Sequence, residues 1–164
     1  MELSFDIRGN LKPYEIVEVS YDDFHKVFVE AFDEESTRAK LFNYYEKYVN
    51  DLSDILERNF YQWIDGSYIS NRVSPRDIDL LTIVDYRDYD VNKSILEKKF
   101  ASFEGRKNYN VDAYIISSYP DSHKRNIFTK SDLAYWRSLF SKTRANRAKK
   151  QFTKGFIQIN FSKI

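Results

Sequence analysis

The sequence predicts a mixed α/β (α+β) fold, a small β-sheet flanked by helices, in one domain spanning residues 1–164. Three observations predict it. Short apolar runs bounded by turn residues, over 62–64, 77–84, 110–117 and 156–161, have the length and patterning of strands. Between and before them lie longer stretches in which apolar residues return every three or four positions, as on a helix with one buried face. A chain of 164 residues is also large enough to bury a core.

Taken in order, residues 1–20 read as irregular to extended, with turns at Gly9-Asn10 and Pro13 and a short alternating strand over 15–19. Ser20 followed by Asp23, ahead of Phe24, Val27, Phe28 and Ala31, predicts a capped helix over 21–32. A second helix is predicted to start after Ser36 and to continue to about Asn59, because Leu41, Tyr44, Tyr45, Tyr48, Leu52, Ile55 and Leu56 recur at helical spacing. That stripe reads as core packing. The first strand, 62–64, ends at a Gly66-Ser67 turn, and the second, 77–84, follows a polar loop that ends in Pro75. Residues 91–103 read as a helix with Gly105 as its stop, and 110–117 as the third strand, closed by Pro120-Asp121. A helix begins near Ser131-Asp132, carries Leu133, Trp136, Leu139 and Phe140, and is expected to run on through the basic segment to Lys150. In the last strand, 156–161, Ile157, Ile159 and Phe161 share one face. No internal repeat, linker or low-complexity segment interrupts the chain.

Charge nearly balances, 26 Lys and Arg against 25 Asp and Glu, but it is unevenly spread. No acid follows Asp132, whereas Arg137, Lys142, Arg144, Arg147, Lys149, Lys150, Lys154 and Lys163 all do. An acidic body with a basic tail suits a protein that holds metal at one place and polyanion at another. The absence of Cys excludes disulfides and thiolate zinc sites, and two distant histidines, His25 and His123, make a His-rich metal site improbable. With no signal-peptide pattern and no apolar run of about 18–20 residues, the expectation is a soluble, cytoplasmic protein without a membrane span.

The chemistry concentrates in residues 63–84. On a strand, Asp77 and Asp79 project to one side with Cα atoms roughly 6.5–7 Å apart, so a divalent cation would relieve their repulsion. Asp112 lies in an otherwise apolar strand, where a carboxylate is costly unless paired or metal-bound. Gly66 lets a phosphate approach closely, and Ser67 offers a hydroxyl and an N–H. Three carboxylates on two neighbouring strands, facing such a turn, frame a two-metal phosphoryl or nucleotidyl transfer. Asp65 reads as a stabiliser of the turn or a fourth acidic contact. Tyr135 and Trp136 read as core or as a surface on which a base could stack. Arg144, Arg147 and Lys150, at i, i+3 and i+6, would share one helix face, either solvated or aimed at phosphates.

Gly66-Ser67 followed by Asp77-Ile78-Asp79-Leu80 resembles the signature of the polymerase-β-type nucleotidyltransferase superfamily, above all its minimal members. The wider pattern is similar to a poorly characterised group of standalone bacterial and phage members. It comprises Gly9-Asn10-Leu11, Trp63 to Ser67, Pro75 to Asp79 and Lys154-Gly155, and spans most of the chain. The resemblance implies that Gly66 and Ser67 bind the triphosphate of an NTP. It also implies that Asp77 and Asp79 bind Mg²⁺ (or Mn²⁺), with Asp112 as a further ligand or base. The minimal enzymes carry an Arg soon after the Gly-Ser pair. Here Tyr68-Ile69-Ser70-Asn71 intervenes, which leaves Arg72 and Arg76 as candidates for that phosphate role. Lys154 is the basic residue expected near the triphosphate.

Two functions of different class follow as expectations. One is a metal-dependent nucleotidyltransferase moving NMP from an NTP to RNA, protein or a small molecule, with the basic C-terminal segment receiving the acceptor. The other is a catalytically silent binding module of a toxin–antitoxin or phage-defence system. A metal-dependent nuclease is a third.

Overall fold

A computed structural model describes residues 2–163; the two ends of the predicted unit, Met1 and Ile164, lie outside the described residues. A small ribbon, β1 (Ser4–Phe5) with β2 (Leu11–Lys12), precedes the main sheet. That sheet has five strands, β3 (Ile16–Glu18), β4 (Phe60–Asp65), β5 (Asp79–Asp85), β6 (Asp112–Ser118) and β7 (Phe156–Phe161), in the order β3-β7-β4-β5-β6. The sheet is mixed: β3 runs parallel to β7 and β5 parallel to β6, while β4 is antiparallel to both of its neighbours. The fold is therefore mixed α+β, as its periodicities predict.

The helices take up the two faces. Ser20 caps α1 (Tyr21–His25), its Oγ accepting the Asp23 N–H at 3.0 Å, and a wider π turn, Lys26–Glu30, continues it. Helix α2 (Arg38–Ile55) starts one residue later and ends about four earlier than predicted. It buries Leu41, Phe42, Tyr45, Tyr48, Val49 and Leu52 against the sheet. A polar chain crosses that interface: Tyr45 Oη donates to Gln62 Oε1 at 2.7 Å, and Gln62 Nε2 donates to Thr82 Oγ1 at 3.0 Å. Tyr45, Gln62 and Thr82 thus satisfy one another inside the layer, whereas the buried Tyr48 hydroxyl beside them has no hydrogen-bond partner.

The connection between parallel strands β5 and β6 crosses by helices, as parallel pairing requires. It consists of α3 (Tyr86–Ile95), a π turn Leu96–Phe100, and α4 (Ser102–Tyr109). The predicted helix over 91–103 is thus two helices, broken at Ala101, whose backbone is extended. Gly105 is not the stop. It sits inside α4, where a Cβ would lie 2.4 Å from the Phe100 carbonyl oxygen, so its smallness lets α4 fold back against the preceding π turn, with Ala113 of β6 also close at 3.3 Å. Asn110, in the left-handed region, ends the helix instead. Helices α2 and α4 share a face, joined by the Tyr48, Phe100 and Tyr109 rings at 5.3–5.5 Å.

Helix α5 (Asn126–Phe140) covers the other face: Trp136 lies 4.7 Å from Tyr114 and Phe140 lies 5.7 Å from Phe156. The predicted run of this helix to Lys150 does not form. Residues 141–155 fold into a closed loop instead, held by Thr143 N–H to Phe152 O at 2.8 Å and Lys154 N–H to Ser141 O at 2.9 Å. The expected helical face of Arg144, Arg147 and Lys150 therefore does not exist. Among the described residues no helix is long and apolar enough to cross a membrane.

Candidate active site

Strand register sets the site. Asp65 pairs with Asp79 across β4 and β5, and Asp79 pairs with Asp112 across β5 and β6. Three carboxylates therefore stand abreast at one end of three adjacent strands, about 4.8 Å apart from strand to strand. Alternation puts them on the face that α5 covers, since Trp63 and Tyr114, each two residues along from Asp65 and Asp112, meet Phe156 and Trp136. The row opens into a cleft of about 1970 Å³ lined by all eight predicted residues, Gly66, Ser67, Arg72, Arg76, Asp77, Asp79, Asp112 and Lys154.

Asp77 reaches this cleft by a different route from the one its sequence spacing suggests. Strand β5 begins at Asp79, so Asp77 lies in the approach to the strand and the same-face argument does not apply to it. Arg106 on α4 joins it to the row, with Nη1 3.4 Å from Asp77 Oδ2 and Nη2 3.2 Å from Asp112 Oδ2. Strand β4 is longer than predicted, which makes Asp65 a strand residue rather than a cap for the turn. It is 8% exposed and paired with Lys154, whose side chain is 12% exposed. Lys154 thus lines the cleft already bound to a carboxylate.

Four carboxylates face two neighbouring cations here, Arg106 and Lys154. Burial first, and then Asp77, Asp112 and Asp65, push the Asp79 carboxyl up to about 7. Burial also raises Asp65, against the pull of Lys154. The carboxylates outnumber the two cations paired with them, and an all-oxygen donor set suits Mg²⁺ or Mn²⁺. Among the described residues no three acidic or histidine side chains already converge as a metal-binding group. The residues fit the ion in charge and donor type.

Gly66 holds the bend. Its φ is +79°, and a Cβ there would lie 1.9 Å from Asp79 Oδ2, so both backbone and space require glycine. Ser67 opens a 3₁₀ turn, Ser67–Ile69, directly beside the carboxylate row. The loop beyond is clamped by Arg38, a fully buried residue that sequence reasoning missed. Its guanidinium donates to the carbonyls of Phe28 (3.0 Å), Tyr68 (2.6 Å), Ser70 (2.8 Å) and Arg72 (2.6 Å). Burial without an anionic partner brings it down to about 10. Arg72 and Arg76, both exposed, are carried into the cleft by this clamped loop.

Arg106 was also missed. On sequence it falls just past the predicted helix stop at Gly105, and nothing local distinguishes it from other basic residues. The one signal for Arg38 is its place beside Ser36-Thr37 at the start of a strongly apolar stripe.

No curated protein and no solved structure matches the chain. A family profile matches residues 3–160, a span that takes in the carboxylate row, the Gly66-Ser67 bend, α5 and the closed loop. With that coverage, the chain belongs to the family of unknown function DUF6932.

Proposed function

We propose that the chain is a metal-dependent nucleotidyltransferase that moves NMP from an NTP to an acceptor hydroxyl. The observation that supports this most is the Asp65–Asp79–Asp112 row packed against a bend whose glycine touches the Asp79 carboxylate. Asp77, Asp79 and Asp112 would hold Mg²⁺ or Mn²⁺, which neutralises the triphosphate and the attacking oxygen when bound. Gly66 and Ser67 bind phosphate oxygens through N–H groups and a hydroxyl. Arg72 and Arg76 supply charge to the β- and γ-phosphates. Lys154 keeps Asp65 paired, so that the floor of the site is fixed in shape. In the transfer the acceptor oxygen bonds to the α-phosphorus, and the bond from that phosphorus to the bridging oxygen breaks. Pyrophosphate leaves, and the hydroxyl proton passes to Asp112. Catalysis rests on positioning and charge neutralisation. Such an enzyme would work in the cytoplasm, where NTPs are kept.

Incubation with α-labelled NTPs, Mg²⁺ or Mn²⁺, and pools of RNA and protein should transfer label, and Asp77→Asn with Asp79→Asn should abolish both transfer and Mg²⁺–NTP binding. Equal affinity of the two proteins by titration calorimetry would refute the proposal.

One observation favours a second possibility, a silent nucleotide-binding module of a toxin–antitoxin or defence system. Arg106 already bridges Asp77 and Asp112. Nucleotide bound but never consumed would mark that case.

A further inference from the structure

The cleft is larger than a nucleotide needs. Small-molecule sites span about 300–1,000 Å³, against about 1970 Å³ here. On the β6 side the lining changes from carboxylates to aromatic rings. Tyr114 follows Asp112 by two residues on the same strand face and is 38% exposed. Trp136 leans on it at 4.7 Å, and Tyr135, 62% exposed, stands edge-on to Trp136 at 5.4 Å. The rings thus form a wall that begins beside the reactive centre and ends in solvent.

The closed loop 141–155 borders this wall. Its tip is ordered by Asn146 N–H to Lys150 O and Lys150 N–H to Asn146 Oδ1, both 2.9 Å. Arg8 stacks on Phe152 at 3.9 Å, which ties the loop to the N-terminal ribbon. The loop presents Lys142, Arg144, Arg147, Lys149 and Lys150, all exposed. Among the described residues none of the five has an acidic partner. Lys142 and Arg144 line the cleft, while Arg147, Lys149 and Lys150 carry the charge beyond it. An ordered loop of unpaired like charges matches a second polyanion.

We propose that the acceptor is the end of a single-stranded nucleic acid, its terminal bases stacked on Tyr114 and Tyr135 and its phosphates against loop 141–155. Exposed π faces joined to a basic track are what single strands recognise, because every base can stack and every phosphate can be neutralised. The transfer is the one set out above, with a terminal ribose or deoxyribose hydroxyl as attacking group and pyrophosphate as leaving group. The inference rests on the nucleotidyltransferase proposal.

The test is fluorescence anisotropy of labelled single-stranded RNA and DNA 20-mers with the full chain, over a salt series. Contact with three to five phosphates gives a slope of log K against log salt of about −2 to −3.5. Arg144→Glu with Arg147→Glu should weaken binding at least tenfold and flatten the slope by about 1 to 1.5. Tyr135→Ala should weaken it about tenfold at unchanged slope. Mg²⁺–NTP affinity, measured by calorimetry on the same proteins, should not change. Intact NTP binding with no oligonucleotide binding, or with variants that bind like the wild type, overturns this inference alone. Label found on protein acceptors and never on oligonucleotides does the same. Loss of NTP binding in the unmodified chain overturns the nucleotidyltransferase proposal as well.

Discussion

Asp79→Asn should stabilise the metal-free protein at pH 8, although it removes the most central member of the site. Asp79 is pushed from 3.8 to about 7 by burial and by its acidic neighbours. At about 1.4 kcal/mol for each tenfold change in acidity, its ionisation costs about 4 kcal/mol more in the folded chain than in the unfolded one. The folded state thus prefers the protonated acid. The stability this group contributes is fully present below 3.8 and is lost as pH rises through about 7. Asparagine keeps the shape of the protonated acid and a donor for Asp112, but it cannot ionise. The variant should therefore lie closest to the wild type at the acid end, near pH 4.5, and exceed it increasingly as pH rises to 7 and above. About 4 kcal/mol is the upper bound on the gap, and at least about 2 kcal/mol should appear, or roughly 4–8 °C in Tm for a chain of this size. Thermal and urea melts in EDTA between pH 4.5 and 8.5 measure it. Mg²⁺ should then close the gap by stabilising the wild type, by about 2.7 kcal/mol at a hundred times Kd, and should do much less for the variant. Parallel pH profiles for the two proteins, or a variant less stable at pH 8, would show that the carboxylate row is not under charge strain.

Arg106→Ala should lower the metal-free Tm by a few degrees and enlarge the Mg²⁺-induced rise, because the guanidinium competes with the cation for Asp77 and Asp112; an unchanged rise would mean that no such competition exists. Arg38→Met strands four carbonyls and should cost about 3 kcal/mol, with hydrogen exchange speeding up across 66–76 first. Protection there equal to the wild type would remove the clamp from the account. Gly66→Ala forces a Cβ to within 1.9 Å of Asp79 Oδ2 at a positive φ, and should reduce Mg²⁺–NTP affinity at least tenfold; wild-type affinity by calorimetry would rule out the bend as the phosphate site.

What could be read in the sequence was whatever strand alternation and turn chemistry encode locally. The last strand falls on the predicted residues, and Asp112 meets Asp79 because both begin apolar runs that pair in parallel. Asp77 was misassigned to a strand because Ile78, buried between it and Asp79, continues the alternation. Residues 141–155 could not be read, because their basic residues favour a helix and only distant pairings, Ser141 with Lys154 and Thr143 with Phe152, turn them back. Arg106 and Lys154 look like solvent-facing cations until the fold brings Asp77, Asp112 and Asp65 to them. Arg38 stands at a helix start, yet it is the most buried charged residue among the described residues because a loop some thirty residues away offers it carbonyls.

The uneven charge of the sequence becomes a gradient in space. Carboxylates form the floor of the cleft, Arg72 and Arg76 its near rim, and the loop carrying Arg144 to Lys150 its far side. A polyanion is drawn to the rim and repelled at the floor until a divalent cation makes up the deficit there. The two binding events should therefore separate by metal dependence. Oligonucleotides, held by the rings and the loop, should bind in EDTA with nearly the affinity they show in Mg²⁺. NTP, whose phosphates must approach Asp77 and Asp79, should bind only with the cation present. Anisotropy and calorimetry run side by side at constant ionic strength would measure both. If EDTA removes both ligands equally, the floor and the rim act as one site, and the separation of nucleotide from acceptor along this cleft is wrong.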